Sequence, residues 1–215
     1  ATPIGETLGT VIQEAMLMSD PVFRQRRYRS TGMTAIDKML NGGLTRQSLN
    51  LIAGRPSMGK TSLGLCMAYS VAKAGGSVLF FSLEMHRNQL AVKLLSLETG
   101  IESKKIESGV WTDDETELVI QGANALTAMR IKVDDTSALD VATIRAEARK
   151  RSAQEPNGLD LIVIDYVQLV SGGRGFNQGG DNRQQEISFI SRSMKVLARE
   201  LDGARFADDR HPDLA

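Results

Sequence analysis

The feature that most restricts this chain is the run Gly54-Arg55-Pro56-Ser57-Met58-Gly59-Lys60-Thr61, which matches the spacing G-x-x-x-x-G-K-[ST]. Gly54 and Gly59 allow backbone torsions and a close approach that a Cβ would block, so amide N–H groups can converge on phosphate oxygens. A helix opening at Lys60 would add the partial positive charge of its N-terminus. Lys60 supplies a mobile ammonium for β- and γ-phosphates, and the Thr61 hydroxyl can ligate Mg²⁺. The structural alternative is an ordinary glycine-containing turn before a helix. Context separates the two, because a phosphate loop must follow a strand and open a helix.

The surrounding pattern has that form. Residues 48–53 read as a short apolar strand and 61–74 as a helix ended by Gly75-Gly76. Residues 77–83 (SVLFFSL) read as a second strand, followed by a helical pattern over 88–98. A helix over 113–129, a short strand over 130–133, a helix over 140–152 and a strand over 159–164 (LDLIVI) follow. Residues 184–201 close the series as a helix. Strands apolar on both faces and separated by helices predict an α/β fold with a mainly parallel central sheet flanked by helices.

Two acids fall at strand ends. Asp165 ends the LDLIVI strand, at the carboxyl edge where such sheets bind ligands. There it can hold Mg²⁺ opposite Thr61, or simply cap a turn. Glu84 ends the SVLFFSL strand on the same rim. It serves either as the base for a water attacking a γ-phosphate or as an exposed turn residue, and the residues alone leave both open.

Residues 3–18 have the stripe Ile4, Leu8, Val11, Ile12, Ala15 at helical spacing, with Pro3 suited to a first helical position. Asp20-Pro21 and a basic run, Arg24, Arg26, Arg27 and Arg29, separate it from the main body. Periodicity slightly favours a helix folded back on its own domain over one docking on a neighbouring subunit. The charge run reads as a solvated linker. Across all 215 residues, 26 Lys and Arg balance 26 Asp and Glu, which excludes a uniformly basic nucleic-acid binder but not a local basic track. A single cysteine, Cys66, excludes an internal disulfide framework and points to a reducing compartment. With no long apolar span and no signal-peptide pattern, a cytoplasmic protein with no membrane partner is the expectation. His86 and His211 lack metal-site spacing, and Cys66, Trp111 and the methionines read as packing.

Taken together, Ser30-Thr31-Gly32-Met33, Asn41-Gly42-Gly43-Leu44, GRPSMGKT, FFSLEM (80–85) and IDYVQLV (164–170) resemble the DnaB-type replicative helicases. The GRPSMGKT and SLEM wording is particular to that group within the wider RecA-like ATPases. The resemblance covers about residues 3–201. It implies a RecA-like P-loop NTPase motor preceded by a linker helix, with ATP and Mg²⁺ as cofactors and single-stranded DNA as partner. By resemblance, the binding set is Gly54, Arg55, Pro56, Ser57, Met58, Gly59, Lys60, Thr61, Asp165 and Gln168, with Thr61 and Asp165 on the metal. Lys60 and Glu84 take catalytic roles, and Gln168 lies near the nucleotide or the DNA loop. Arg174, Gly175 and Asn177, in a glycine-rich loop, are implied DNA contacts. The resemblance also implies a homo-oligomer closed as a hexameric ring, with the first helix docking in trans, and a primase or helicase loader as further partners.

These signals divide the chain into a linker helix (1–20), a basic linker (21–30), a motor domain (31–201) and an atypical tail (202–215). Beyond residue 201 the family would continue into another apolar strand, a polar sensor motif, a second DNA-facing loop and an arginine finger. The charged tail here lacks a β pattern and reads as disordered or foreign to the family. The expectation is therefore an incomplete fragment of a longer or rearranged product. Its phosphate-loop strand would have an unpaired edge and exposed apolar surface. Without an arginine finger, weak ATPase and no processive unwinding are expected. Competing expectations are a recombinase-type RecA-like ATPase and a non-catalytic ATP-binding assembly module.

Overall fold

A computed structural model describes residues 3–55, 57–173 and 183–206, so Pro56 and the loop residues Arg174, Gly175 and Asn177 lie outside the described residues. The chain opens with α1 (Ile4–Leu17), whose N-cap is Pro3 in extended backbone, so the helix begins one residue later than expected. No residue of α1 is buried, so it is not folded back on its own domain. Helix α2 (Pro21–Arg27) follows, its first turn capped by Asp20, whose carboxylate accepts the Val22 N–H at 2.8 Å. Strand β1 (Tyr28–Arg29), helix α3 (Thr34–Met39) and strand β2 (Leu44–Thr45) form a small unit in which β1 and β2 pair antiparallel. Gly43 permits that pairing. Its φ is +121°, and a Cβ there would sit 2.4 Å from the Arg29 carbonyl oxygen.

The main body comprises α4 (Lys60–Lys73), β3 (Ser77–Ser82), α5 (Arg87–Thr99), α6 (Ser103–Ser108), α7 (Asp113–Ala128) and β4 (Arg130–Asp134). It continues with α8 (Val141–Gln154), β5 (Leu161–Asp165), a 3₁₀ turn (Val167–Leu169) and α9 (Arg183–Phe206). The three strands lie in the order β4-β3-β5, all parallel. β3 is buried along its whole length, and its pleat divides the core. Val78 and Phe80 face Leu65, Ala68 and Val71 of α4 and Leu90 and Leu94 of α5. Leu79 and Phe81 face Ile144 of α8 and Ile190, Met194 and Leu197 of α9. The expected parallel α/β layering is therefore present, with helices on both faces.

Three sequence expectations need correction. Residues 48–53 are not a strand. Leu49 touches the core, but Leu51 and Ile52 are 68% and 42% exposed. A strand exists only through a neighbour's hydrogen bonds, and among the described residues no ladder reaches this segment.

The basic run folds as α2 and β1, and although Arg24 is exposed, Arg27 and Arg29 are paired rather than solvated. Arg27 pairs with Glu14 of α1, and Arg29 donates to Asp160 Oδ1 from Nε at 3.1 Å and Nη2 at 2.6 Å. The other oxygen of Asp160, a buried side chain, accepts the Ser77 N–H at 2.9 Å. The small N-terminal unit is thereby pinned to the starting edge of the sheet.

Finally, α9 continues through Phe206, so the first five residues of the expected irregular tail are helical. The remainder, 207–215, lies outside the described residues.

The contrast between β3 and residues 48–53 sets a stability test. Phe80→Ala should cost about 3–5 kcal/mol in chemical denaturation, as full burial of an aromatic implies. Leu51→Ala should stay within about 0.5 kcal/mol. A loss of about 2 kcal/mol or more at Leu51 would mean that this segment is packed as a core strand.

Candidate functional site

The phosphate-loop sequence folds into an irregular turn leading directly into α4. Gly59 is the N-cap of that helix in the left-handed region, with φ +80° and ψ 24°. Ser57 also has a positive φ, 64°, an unusual torsion for a residue with a Cβ. Lys60 turns its ammonium back over the loop, where Nζ donates to the carbonyls of Gly54 and Arg55 at 3.0 Å each. At Gly54 a Cβ would meet only ordinary protein contacts, 3.6 Å or more, from Lys60 and Met58. Only Gly59 of the pair is required by its torsion.

Helix α4 packs on the sheet, and a Cβ at Gly64 would lie 3.5 Å from Val163 Cγ1 of β5. The phosphate loop thus meets the sheet near the strand end that holds Asp165. Parallel registry sets Ser82 of β3 directly beside Asp165 of β5, and the Leu83 N–H donates to the Asp165 carbonyl at 2.8 Å. Asp165 is buried, and its Oδ2 has no hydrogen-bond partner among the described residues. A buried carboxylate oxygen is costly to leave unsatisfied, so this atom is suited to a cation or a polar ligand.

Glu84 is exposed in the turn between β3 and α5. That turn is tied at several points. Ser82 Oγ donates to the Met85 carbonyl at 2.6 Å, and the His86 N–H donates to Gln89 Oε1 at 3.2 Å. Asp135, just past β4, accepts from the Arg87 N–H and Nε at 3.1 Å and from Nη2 at 2.7 Å. The Arg87 guanidinium and N–H hold the Asp135 carboxyl well below the usual carboxylate range.

Beyond β5, Gln168 is exposed in the 3₁₀ turn, and its carbonyl accepts from Arg183 at the start of α9. Glu186 of α9 accepts the Gly172 N–H at 2.7 Å, which holds its carboxyl below the ordinary value. Gly172 and the 3₁₀ turn are therefore both tied to the start of α9.

Helix α4, which opens with Lys60 and Thr61, packs on β5, whose last residue is Asp165, and the Glu84 turn follows the neighbouring end of β3. Asp135 was missed by sequence reasoning, although Asp134-Asp135 follow a strand as Glu84 and Asp165 do. A carboxylate just after a strand was the available signal.

A phosphate loop opening the helix beside a strand-end acid, on the carboxyl edge of a parallel sheet, belongs to the P-loop α/β class with a RecA-like architecture. The chain belongs to the family described as DnaB-like helicase C terminal domain, whose model matches residues 29–205. It is 38% identical over 205 residues to the replicative DNA helicase DnaB of Synechocystis, covering 93% of this chain and 22% of that protein. It is 40% identical over 173 residues to the DnaB of Geobacillus stearothermophilus, covering 80% of this chain and 37% of that protein. The chain thus spans well under half the length of these relatives. Among solved structures it is similar to a DnaB-like replicative helicase described with its interactions with primase, at TM-score 0.80 and 28% identity, covering 94% of this chain and 46% of that one. It is similar also to a second solved structure, described as an ATPase domain, at TM-score 0.78 and 28% identity, covering 94% of this chain and 69% of that one.

The loop geometry separates its two glycines experimentally. Gly59→Ala should destabilise the fold by about 1–2 kcal/mol, the penalty for a Cβ in the left-handed region. Gly54→Ala should leave stability within about 0.5 kcal/mol. Denaturant titration of both variants checks this, and equal losses would contradict the different torsional roles.

Proposed function

We propose that this chain is the ATP-hydrolysing motor of a replicative DNA helicase, with its nucleotide site on the sheet edge at Lys60, Thr61, Glu84 and Asp165. The observation that carries the reading is the Oδ2 of Asp165, buried and without a partner among the described residues, at the end of β5, the strand on which the phosphate-loop helix packs. Family membership supports the assignment, as do the relatives' names as replicative DNA helicases.

Gly54, Arg55, Pro56, Ser57, Met58 and Gly59 form the loop whose backbone N–H groups, which Pro56 lacks, receive the phosphates together with the α4 N-terminus. Lys60 exchanges its carbonyl contacts for β- and γ-phosphate oxygens. The Thr61 hydroxyl and Asp165 are the residues that would hold Mg²⁺, an oxygen donor set suited to a hard cation. When bound, that ion neutralises charge on the β- and γ-oxygens. Glu84 takes the proton of the attacking water as general base. Its exposure on the rim leaves it accessible to that water. Gln168, exposed just past β5, reads the nucleotide or the DNA from the same edge.

Single-stranded DNA is the proposed track, with Arg174, Gly175 and Asn177 as phosphate contacts. The zero formal charge of the chain restricts such contacts to a local surface. Helix α1, with Ile4, Leu8, Val11 and Ile12 exposed, is the proposed docking element on a second copy of the chain, as a hexameric ring requires. A primase and a helicase loader are the proposed further partners, within the cytoplasm. Among the described residues no helix is long and apolar enough to cross a membrane.

Two substitutions test the site. Lys60→Ala should abolish binding of a fluorescent ATP analogue in the presence of Mg²⁺. Glu84→Gln should leave that affinity unchanged and slow phosphate release by about 10²-fold or more, the range for loss of a general base. Undiminished release in Glu84→Gln would remove Glu84 from the mechanism.

A further inference from the structure

The Glu84 turn spans residues 83–87, and a different structural element closes each of its ends. At the β3 end, the Leu83 N–H is held by the Asp165 carbonyl at 2.8 Å, so the turn starts from the strand end that bears the metal-site acid. In the middle, Ser82 Oγ fixes the Met85 carbonyl at 2.6 Å. At the α5 end, the His86 N–H is held by Gln89, and the Arg87 N–H, the first of the helix, has no intrahelical acceptor. It is satisfied from outside, by Asp135 Oδ2 at 3.1 Å.

Asp135 is well placed for this. It follows β4, the strand next to β3 on the side away from β5, so it reaches the turn from the opposite flank to Asp165. Its side chain is only 11% exposed, whereas those of His86 and Arg87 are 87% and 70% exposed. The shielded carboxylate is the fixed partner and the two basic residues close over it. Arg87 supplies its backbone N–H, Nε and Nη2, and His86 Nδ1 lies 3.5 Å from Oδ2. Glu84 therefore sits in a short turn anchored on one side by β5 and on the other by β4.

We infer that Asp135 is a positioning residue for catalysis, fixing the carboxylate of Glu84 over the nucleotide edge by clamping the start of α5 through Arg87. The inference rests on the reading of Glu84 as general base. A base must lie within hydrogen-bond reach of the water it activates, and a displacement of about 1 Å is worth about 10²-fold in rate. Removing the clamp frees the downstream end of the turn while Lys60, Thr61 and Asp165 keep their own supports. The signature is a loss in turnover without a loss in nucleotide affinity.

The test is a double-mutant cycle of Asp135→Ala and Glu84→Gln, read by single-turnover phosphate release and by affinity for a fluorescent ATP analogue with Mg²⁺. Asp135→Ala should slow release at least about tenfold with ATP affinity kept within about twofold. In the Glu84→Gln background it should slow release by less than about twofold, because it acts through Glu84. Hydrogen exchange provides a readout that needs no turnover. In Asp135→Ala the amides of residues 85–87 should exchange at least about tenfold faster, with those of Leu83, β3 and β5 unchanged.

Unchanged exchange in the turn, unchanged release, parallel loss of ATP affinity, or an equal slowing in both backgrounds would each overturn the positioning role. Full activity of Glu84→Gln alone would overturn the Glu84 reading and the inference with it. An inactive Glu84→Gln beside a fully active Asp135→Ala would overturn only the inference.

Discussion

Parallel pairing of β3 between β4 and β5 is the constraint on which the rest of this molecule depends. The register places Ser82 beside Asp165 and Phe81 beside Asp134, so all three strands end on one edge. Asp165 at the end of β5, and Glu84 and Asp135 just past β3 and β4, are delivered to that edge by the ladder. The same ladder requires that β3 be apolar on both sides. Phe80 is then buried against α4 and α5 and Phe81 against α8 and α9. Packing of α4 on this sheet carries the phosphate loop to its place, so the core and the candidate site have a common cause.

Around that edge, polar contacts refine what packing sets coarsely. The Asp165 carbonyl receives Leu83, Asp135 receives Arg87, and Glu186 receives Gly172. In each case an acceptor satisfies a backbone N–H of a turn or loop. At the opposite edge, Asp160 joins Arg29 of the small N-terminal unit to the Ser77 N–H at the start of β3. The segment bearing α1 is thus fixed to the motor at one end, while the apolar stripe of α1 remains exposed.

The sequence made the local parts legible. SVLFFSL and LDLIVI are apolar on both faces and became β3 and β5, and the phosphate loop opens α4 as expected, although the segment before it is not a strand. Asp140, expected as the first residue of a helix over 140–152, instead caps α8 by accepting the Thr143 N–H at 2.7 Å. Nonlocal pairing was not legible. Residues 48–53 have a strand's composition, but a strand is defined by its neighbour. Tyr28–Arg29 and Leu44–Thr45 are too short to show a period. Arg29 looked solvated because its partner, Asp160, lies 131 residues away. Asp135 was overlooked because an acid after a short, half-polar strand resembles a surface residue until the α5 end is seen beside it.

The central claim is that the edge shared by α4, β3 and β5 holds an ATP–Mg²⁺ pair. ATP affinity measured against Mg²⁺ concentration tests it most directly, comparing the unaltered protein with a Thr61→Ala, Asp165→Ala double variant. The account predicts that affinity rises with Mg²⁺ in the unaltered protein and that this dependence disappears in the double variant. An identical Mg²⁺ dependence in the two proteins would contradict it.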